Sequence, residues 1–212
     1  MKTLKRLLSV LLALIMLVGT LVIPVAAGDT EEEEIVARMY IGHKERYMNL
    51  SGHTWIYIEN LTDHSLTVGA YTLQKGKGVS IGTYGYAIAN GKGLYYNVEA
   101  YRYQNVDIST YIHLSKDLTQ EQLDKVSEKI RRSGTWDYTL NCAYFATRIW
   151  NTVFGQPVIY MLIPTLHQLQ ILMYPSHGNG FKMTVPSMND VYKQIGKGDD
   201  AYIVTADPRV PD

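Results

Sequence analysis

The chain has 212 residues, of which 20 are basic and 20 acidic, so its formal net charge is zero. This balance argues against a nucleic-acid-binding protein, which needs a concentrated basic face. A single cysteine excludes an internal disulfide, and the thiol is therefore either a buried packing group or a chemical one. The length is sufficient to bury a hydrophobic core without covalent cross-links.

The N-terminus has the features of a secretory signal peptide. Three basic residues within the first six precede a long apolar stretch, and "VAAG" follows a break at Pro24. This pattern predicts a signal peptide over residues 1–27, cleaved after Ala27, and hence a secreted protein. The alternative is an uncleaved anchor, because residues 7–27 are almost long enough to span a bilayer. Membrane contact is expected only through this segment.

The rest of the chain is predicted to form one domain after a short acidic leader. Residues 28–34 read "GDTEEEE" and are expected to be a solvated, flexible leader. Because the signal peptide contains three of the basic residues, the mature chain is mildly acidic. Residues 35–212 lie within the size range of a single domain, and we expect a monomer.

The first half of this domain is predicted to be β-structure. Segments rich in β-branched and aromatic residues alternate with turn-forming residues, which predicts a three-stranded antiparallel meander. Another strand is predicted in "GLYYNVEAYRY", and "YIHLS" is a further short candidate. The predicted strands, in chain order, are 53–60, 64–73, 78–88, 93–103 and 111–115.

The pattern then changes to the helical period. Thr119 and Gln122 have the spacing of a capping box and begin a helix within 115–134. From Cys142 to Val153, apolar residues recur at helical spacing, and Asn141 is a suitable N-cap. Two further short helices are predicted at 163–172 and 187–196.

The only cysteine therefore occupies the first turn of a predicted helix. Unpaired backbone N–H groups and the positive end of the helix dipole favour an anion there, and cysteine pKa values fall at such positions. This placement suits a nucleophile. The alternative is that Cys142 is only a small buried hydrophobe that begins the apolar stripe.

A nucleophilic cysteine needs a base, and His53 is the best candidate among six histidines. It opens a strongly apolar strand directly after a glycine, where a side chain can face a neighbouring helix terminus. His43 and His177 lie in polar surroundings and are expected to be exposed. If the next predicted strand pairs around the intervening turn, His64 is placed to orient the ring of His53.

These residues resemble a known family. A histidine that opens a strand ("GHTWIYIEN"), further strands, and a cysteine that begins a helix ("NCAYFATRIWN") resemble the circularly permuted, NlpC-like papain-fold cysteine hydrolases, including lecithin–retinol acyltransferase-like proteins. In these relatives the histidine precedes the cysteine, here by 89 residues. The resemblance covers roughly residues 40–155. It implies an α+β fold of the permuted papain-like kind, with an antiparallel sheet packed against helices and the catalytic cysteine at a helix N-terminus.

The resemblance implies roles for individual residues. Cys142 is the nucleophile, His53 the base, and His64 the third group. Thr67, Thr72 or Glu59 could fill the third position instead, and a Cys–His pair without a third group is a further alternative. The side chains predicted to bind substrate are Tyr138, Asn141 and Trp55, although Asn141 also suits a purely capping role.

The expected activity is that of a cysteine hydrolase, an amidase or peptidase that attacks an amide or ester carbonyl. Secretion suggests cell-wall peptides as substrates, and the permuted relatives suggest lipid-linked acyl groups as the alternative. The spacings typical of a zinc site are missing from the sequence, so we expect no metal and no cofactor. A non-catalytic exported binding module remains a further alternative.

Overall fold

The computed structural model describes residues 33–44, 52–85, 88–134, 136–155, 157–159 and 162–209. The predicted signal peptide and most of the acidic leader lie outside these residues. Within the described ranges, none of the helices is long and apolar enough to cross a membrane.

Ten strands are present in the described part of the chain. They are β1 (Ile35–Lys44), β2 (His53–Asn60), β3 (Leu66–Val68), β4 (Tyr71–Leu73), β5 (Gly78–Tyr84), β6 (Gly93–Tyr96), β7 (Tyr111–Thr119), β8 (Gly178–Asn179), β9 (Tyr192–Ile195) and β10 (Tyr202–Thr205). Eight of them form an antiparallel sheet in the order β10-β9-β6-β5-β2-β1-β7-β8. The remaining two, β3 and β4, pair only with each other as a small hairpin.

Four α-helices accompany the sheet in the same described ranges. They are α1 (Val98–Arg102), α2 (Gln120–Arg131), α3 (Cys142–Trp150) and α4 (Pro164–Leu172). Short 3₁₀ turns occur at Ile108–Thr110, Asn151–Val153, Met188–Asp190 and Gly198–Asp200. The predicted capping box is confirmed, because Thr119 accepts a hydrogen bond from the backbone of Gln122 and the Gln122 side chain accepts one from the backbone of Thr119.

The two faces of the sheet bury different kinds of side chain. On one face, aliphatic residues such as Ile56, Ile58 and Ile81 pack with the apolar stripes of α2 and α3. On the other face, Trp55 and Tyr57 pack in an aromatic cluster. The alternation follows from the two-residue period of a strand. Burying each large side chain contributes about 1.5–3 kcal/mol to the free energy of unfolding, so burial on both faces stabilises the pairing register of the strands.

The α+β class predicted from the sequence is confirmed, whereas three of the predicted elements are wrong. Residues 64–73 form the separate β3–β4 hairpin, and β5 pairs directly with β2 instead. The predicted strand at 93–103 ends at Tyr96 and continues as α1. The predicted helix at 187–196 is a 3₁₀ turn followed by β9.

The other predicted helices form close to their expected bounds. The apolar residues of α3, including Phe145, Ala146 and Ile149, are buried against the sheet. This packing, together with contacts of α3 to β2 and β5, places the first residue of α3 beside the N-terminal end of β2.

Candidate active site

Cys142 is the first residue of α3, and its side chain is buried. Asn141 caps the helix, since its Oδ1 accepts a hydrogen bond from the backbone N–H of Tyr144 at 3.1 Å. This cap fixes the first turn and leaves other N–H groups of that turn free to face an anion.

The structure brings His53 into contact with Cys142. His53 is the first residue of β2, where the strand pairs with Lys44 at the end of β1. Its ring lies beside the thiol of Cys142, close enough for each group to shift the pKa of the other. Residues 89 positions apart in sequence therefore meet where a strand and a helix both begin.

The protonation of the two groups is coupled. Burial on its own raises the pKa of the Cys142 thiol, but the charge of His53 and the hydrogen bond from its ring lower that pKa below its usual value. The backbone N–H groups of Thr54 and Ala143 lower it further. Burial also lowers the pKa of His53. The charges of Cys142 and Glu99 and their hydrogen bonds to the ring outweigh burial, so the pKa of His53 is raised overall. The pair therefore favours thiolate and imidazolium, the reactive form of a cysteine nucleophile.

Glu99 is the third member of the arrangement, and the sequence did not identify it. Its Oε1 lies 2.8 Å from Nε2 of His53, and its side chain is fully buried. Because Nε2 faces the carboxylate, Nδ1 is the ring nitrogen left for the thiol. A charge-assisted hydrogen bond of this kind holds the ring orientation and stabilises the imidazolium.

A local turn brings Glu99 to the sheet. Asn97, with φ of 67°, ends β6 in the left-handed region and directs the chain into α1. Its backbone N–H donates to the carbonyl of Ser80 on β5 at 2.7 Å. The Ser80 hydroxyl donates to Oε2 of Glu99 at 2.8 Å and accepts from the backbone of Ala100 at 3.2 Å. The buried carboxylate thus has a partner on each oxygen, as a buried charge requires.

Gly82 provides the space for this contact. A Cβ at position 82 would lie 2.0 Å from Oε1 of Glu99 and 3.3 Å from Nε2 of His53. Any side chain here would displace the carboxylate from the ring. Ser80 and Gly82 share one face of β5, so a two-residue strand period supplies both the hydroxyl and the gap.

His64 does not orient His53, and that prediction is wrong. It lies in the turn after β2, with its side chain 64% exposed and its Nδ1 3.2 Å from Asp63. The length of β2 separates the two histidines by roughly 23 Å at the usual rise per residue. Glu99 contacts His53 instead. The substitutes Thr67 and Thr72 lie on the separate hairpin, and Glu59 contacts Tyr40.

The predicted substrate-binding side chains occupy three different environments. Tyr138 is 84% exposed shortly before α3. Asn141 caps that helix. Trp55 is fully buried, with its ring stacked 6.0 Å from that of His53. It packs beside the histidine ring from within the aromatic cluster. Tyr84 lies closer to the same ring, at 4.6 Å.

A pair of buried histidines lies beside this site. Thr54, the residue after His53, has its hydroxyl 2.9 Å from Nδ1 of His43 and 3.5 Å from Nδ1 of His167. Both rings are buried, so the expected exposure of His43 is wrong. Burial lowers the pKa of His43 to about 3 and that of His167 to about 4, with the charges of His167 and His53 contributing at His43. We call these two residues the neutral histidine pair.

The side chains of Cys142, His53 and Glu99 thus form a buried chain of thiol, imidazole and carboxylate. Such a chain can hold a thiolate, protonate a leaving group and keep the ring in one orientation. Comparison with known proteins finds no matching family model, no matching curated protein and no matching solved structure.

Proposed function

We propose that this protein is an exported cysteine hydrolase with a permuted papain-like fold, in which Cys142, His53 and Glu99 cleave an amide or ester. The observation that carries the proposal is the direct sequence of contacts from thiol to imidazole to carboxylate. The order of the base and the nucleophile along the chain supports the permuted arrangement. The apolar packing alternative for Cys142 does not explain why a buried carboxylate contacts its histidine neighbour.

The proposed reaction has two steps. The Cys142 thiolate attacks the carbonyl carbon, and backbone N–H groups at the start of α3 stabilise the oxyanion. The carbon–nitrogen or carbon–oxygen bond then breaks, and protonated His53 gives its proton to the leaving group. The product of this step is a thioester on Cys142. His53 next takes a proton from water, the hydroxide attacks the thioester, and the acid leaves as the thiolate is restored.

Glu99 acts on His53 rather than on the substrate. Its negative charge stabilises the imidazolium form, and its hydrogen bond keeps Nδ1 directed towards the thiol. Gly82 and Ser80 hold Glu99 in this position. The proposed substrates are cell-wall peptides, in keeping with the predicted secretion.

A second candidate substrate class is favoured by the outer face of α4. Leu166, Leu169 and Met173 are exposed on this helix and line a cavity of about 470 Å³. The opposite side of α4 carries His167, which contacts Thr54 beside the thiol. An apolar surface of this kind suits an acyl chain, so a lipid acyl hydrolase or acyltransferase is the alternative activity.

Alkylation of Cys142 by iodoacetamide tests the site without knowledge of the substrate. In the mature protein at pH 6.5, the thiolate should react at least about tenfold faster than a free cysteine, because each unit of pKa depression is tenfold in thiolate fraction. His53→Ala should remove this excess, whereas His64→Ala, the matched exposed control, should retain it. A thiol that reacts only after denaturation, or a rate that His53→Ala leaves unchanged, contradicts the proposal.

The substrate class is tested by mass spectrometry. The mature protein is incubated separately with muropeptides and with acyl lipids, and Cys142 is examined for a covalent acyl adduct. An adduct from muropeptides supports the peptidase, and an adduct from lipids supports the alternative. If rapid alkylation is observed but neither class is cleaved or bound covalently, both substrate assignments fail.

A further inference from the structure

A second cavity, separate from the thiol, lies among α2, α3 and the turn between β9 and β10. Its volume is about 270 Å³. Four cationic side chains line it, and we call it the basic cavity: Lys129, Arg132, Arg148 and Lys197. Tyr144 and Ser133 also contribute polar groups to its wall.

Each cation reaches the cavity for a local reason. Lys129 and Arg132 are three residues apart at the end of α2, so they share one side of that helix. Tyr144 and Arg148 are four residues apart on α3, and Nη1 of Arg148 donates to the Tyr144 hydroxyl at 3.1 Å. Lys197 follows Gly196, whose φ of 72° turns the chain between β9 and β10.

Most of this charge is not neutralised by nearby carboxylates. Arg132 forms an ion pair with Glu128, and the charge of Asp199, which lies 3.9 Å from Arg131, also acts on Arg132. In the described part of the chain, Lys129, Arg148 and Lys197 form no ion pair with a carboxylate. Burial lowers the pKa of Lys129, and the positive charges of Arg148 and Arg132 lower it further. The cations are therefore close enough to repel one another.

We propose that the basic cavity binds a phosphate group. Three unpaired cations around one small space are a charge arrangement that a bound anion stabilises, and a phosphate monoester supplies close to two negative charges and three acceptor oxygens. The planar guanidinium of Arg148 matches a phosphate in geometry as well as charge. The volume lies just below the range of pockets for drug-sized ligands, so it suits a single anionic group.

This site is independent of the proposed catalytic one. At 100° per residue, Tyr144 and Arg148 point to the side of α3 away from Cys142. The thiol faces His53 on the sheet, whereas the basic cavity opens towards the β9–β10 turn. A substitution in the basic cavity should therefore remove phosphate binding without changing thiol reactivity. A substitution at the thiol site should remove thiol reactivity without changing phosphate binding.

Titration calorimetry with inorganic phosphate on the mature protein at low ionic strength tests the proposal. We expect saturable binding with one site, weakening as sodium chloride is added. The variant Arg148→Gln/Lys197→Gln should bind at least about tenfold more weakly, because it removes two of the charge-assisted contacts to the anion. Lys125→Gln is the matched control, since Lys125 is exposed on α2 and paired with Glu121. Acetate should bind more weakly than phosphate.

A second arm distinguishes a soluble phosphate from a lipid headgroup. Phosphatidylglycerol vesicles are compared with phosphatidylcholine vesicles in a sedimentation assay, using the same variants. If the protein binds phosphatidylglycerol vesicles but not phosphatidylcholine vesicles, and Arg148→Gln/Lys197→Gln loses this binding, the bound phosphate is that of a membrane lipid. Phosphate binding without vesicle binding assigns it to a soluble ligand.

The proposal is overturned if neither phosphate nor vesicles bind, or if Lys125→Gln weakens binding as much as the double variant does. Thermal melts identify any variant that fails to fold. In that case the single variants Arg148→Gln and Lys197→Gln, each of which removes an exposed side chain, replace the double one. Iodoacetamide reactivity of Cys142 should be the same in all these variants.

Discussion

His53 and the neutral histidine pair lie side by side at the same end of the sheet, yet their ring pKa values move in opposite directions. All three rings are wholly or largely buried, and burial lowers the pKa of each. At His53, the thiolate of Cys142 and the carboxylate of Glu99 reverse that effect. At His43 and His167, the partner is the uncharged hydroxyl of Thr54, and the rings stay neutral.

The comparison shows that the partners of a buried histidine decide its charge. His53 and Thr54 are successive residues of β2, so their side chains point to opposite faces of the sheet. One face holds a carboxylate on α1, and the other holds two imidazoles from β1 and α4. A single strand thus supports a charged site on one side and a neutral polar cluster on the other.

The largest expected effect is a loss of stability in mild acid, caused by the neutral histidine pair. Both folded-state pKa values lie below the unfolded value of 6.5, at about 3 and about 4. As the pH falls from 6.5 to about 5, the unfolded chain takes up these protons and the folded chain does not, so stability falls by about 1.5 kcal/mol for each histidine, or about 3 kcal/mol together. Urea denaturation at the two pH values measures the difference.

His53 does not add to this loss. Its pKa is raised, so the stability that it contributes is fully present below pH 6.5 and is lost only at higher pH. His167→Gln should reduce the acid loss to about half, since one of the two groups no longer titrates. His64→Ala, which removes an exposed histidine, should leave it intact. An equal loss in the wild type and in His167→Gln would show that the pair does not cause it.

The next effect in size concerns the hydroxyl that joins the pair. Thr54→Val keeps the shape of the side chain but leaves Nδ1 of both His43 and His167 without a partner in buried surroundings. The free energy of unfolding should fall by about 2 kcal/mol, the usual cost of orphaned buried polar groups. Urea denaturation at pH 7 gives the value.

Two controls separate this effect from the thiol site. Thr72→Val changes an exposed threonine on the β3–β4 hairpin and should alter stability by less than about 0.5 kcal/mol. The backbone N–H of Thr54 remains next to Cys142 in Thr54→Val, so alkylation of the thiol should keep its rate. A slowed alkylation would mean that the two sites are not separate.

The sequence predicted the site where local signals sufficed. Asn141 and the apolar spacing after it identified the start of α3, and hence the position of Cys142. His53 was identified from its place at the head of an apolar strand. Both signals depend only on neighbouring residues, and the contact between the two side chains agrees with the order that the resemblance implied.

Glu99 was missed because its segment was interpreted as one strand. The turn at Asn97 needs a positive φ, and nothing in "YYNVEAYRY" except that asparagine indicates it. A lone carboxylate in an otherwise apolar and aromatic run was the remaining signal. His43 was missed for a different reason: its polar neighbours suggested exposure, but β1 pairs with both β2 and β7, and such non-local pairing cannot be deduced from local composition.

The smallest of these effects tests the His53 site, where the buried ring is charged. Glu99→Gln keeps a hydrogen-bonding group beside Nε2 of His53 but removes the negative charge that raises the pKa of the ring. The imidazolium–thiolate form becomes less favoured, so alkylation of Cys142 at pH 7 should slow by about tenfold, equivalent to one pKa unit. The pH profile of alkylation should shift in the same direction, because the paired thiol now ionises at higher pH. Glu59→Gln removes a carboxylate from the same strand as His53 and should leave both rate and profile unchanged. If the two variants behave alike, Glu99 only fills space, and the difference between the His53 site and the neutral histidine pair arises from the thiolate alone.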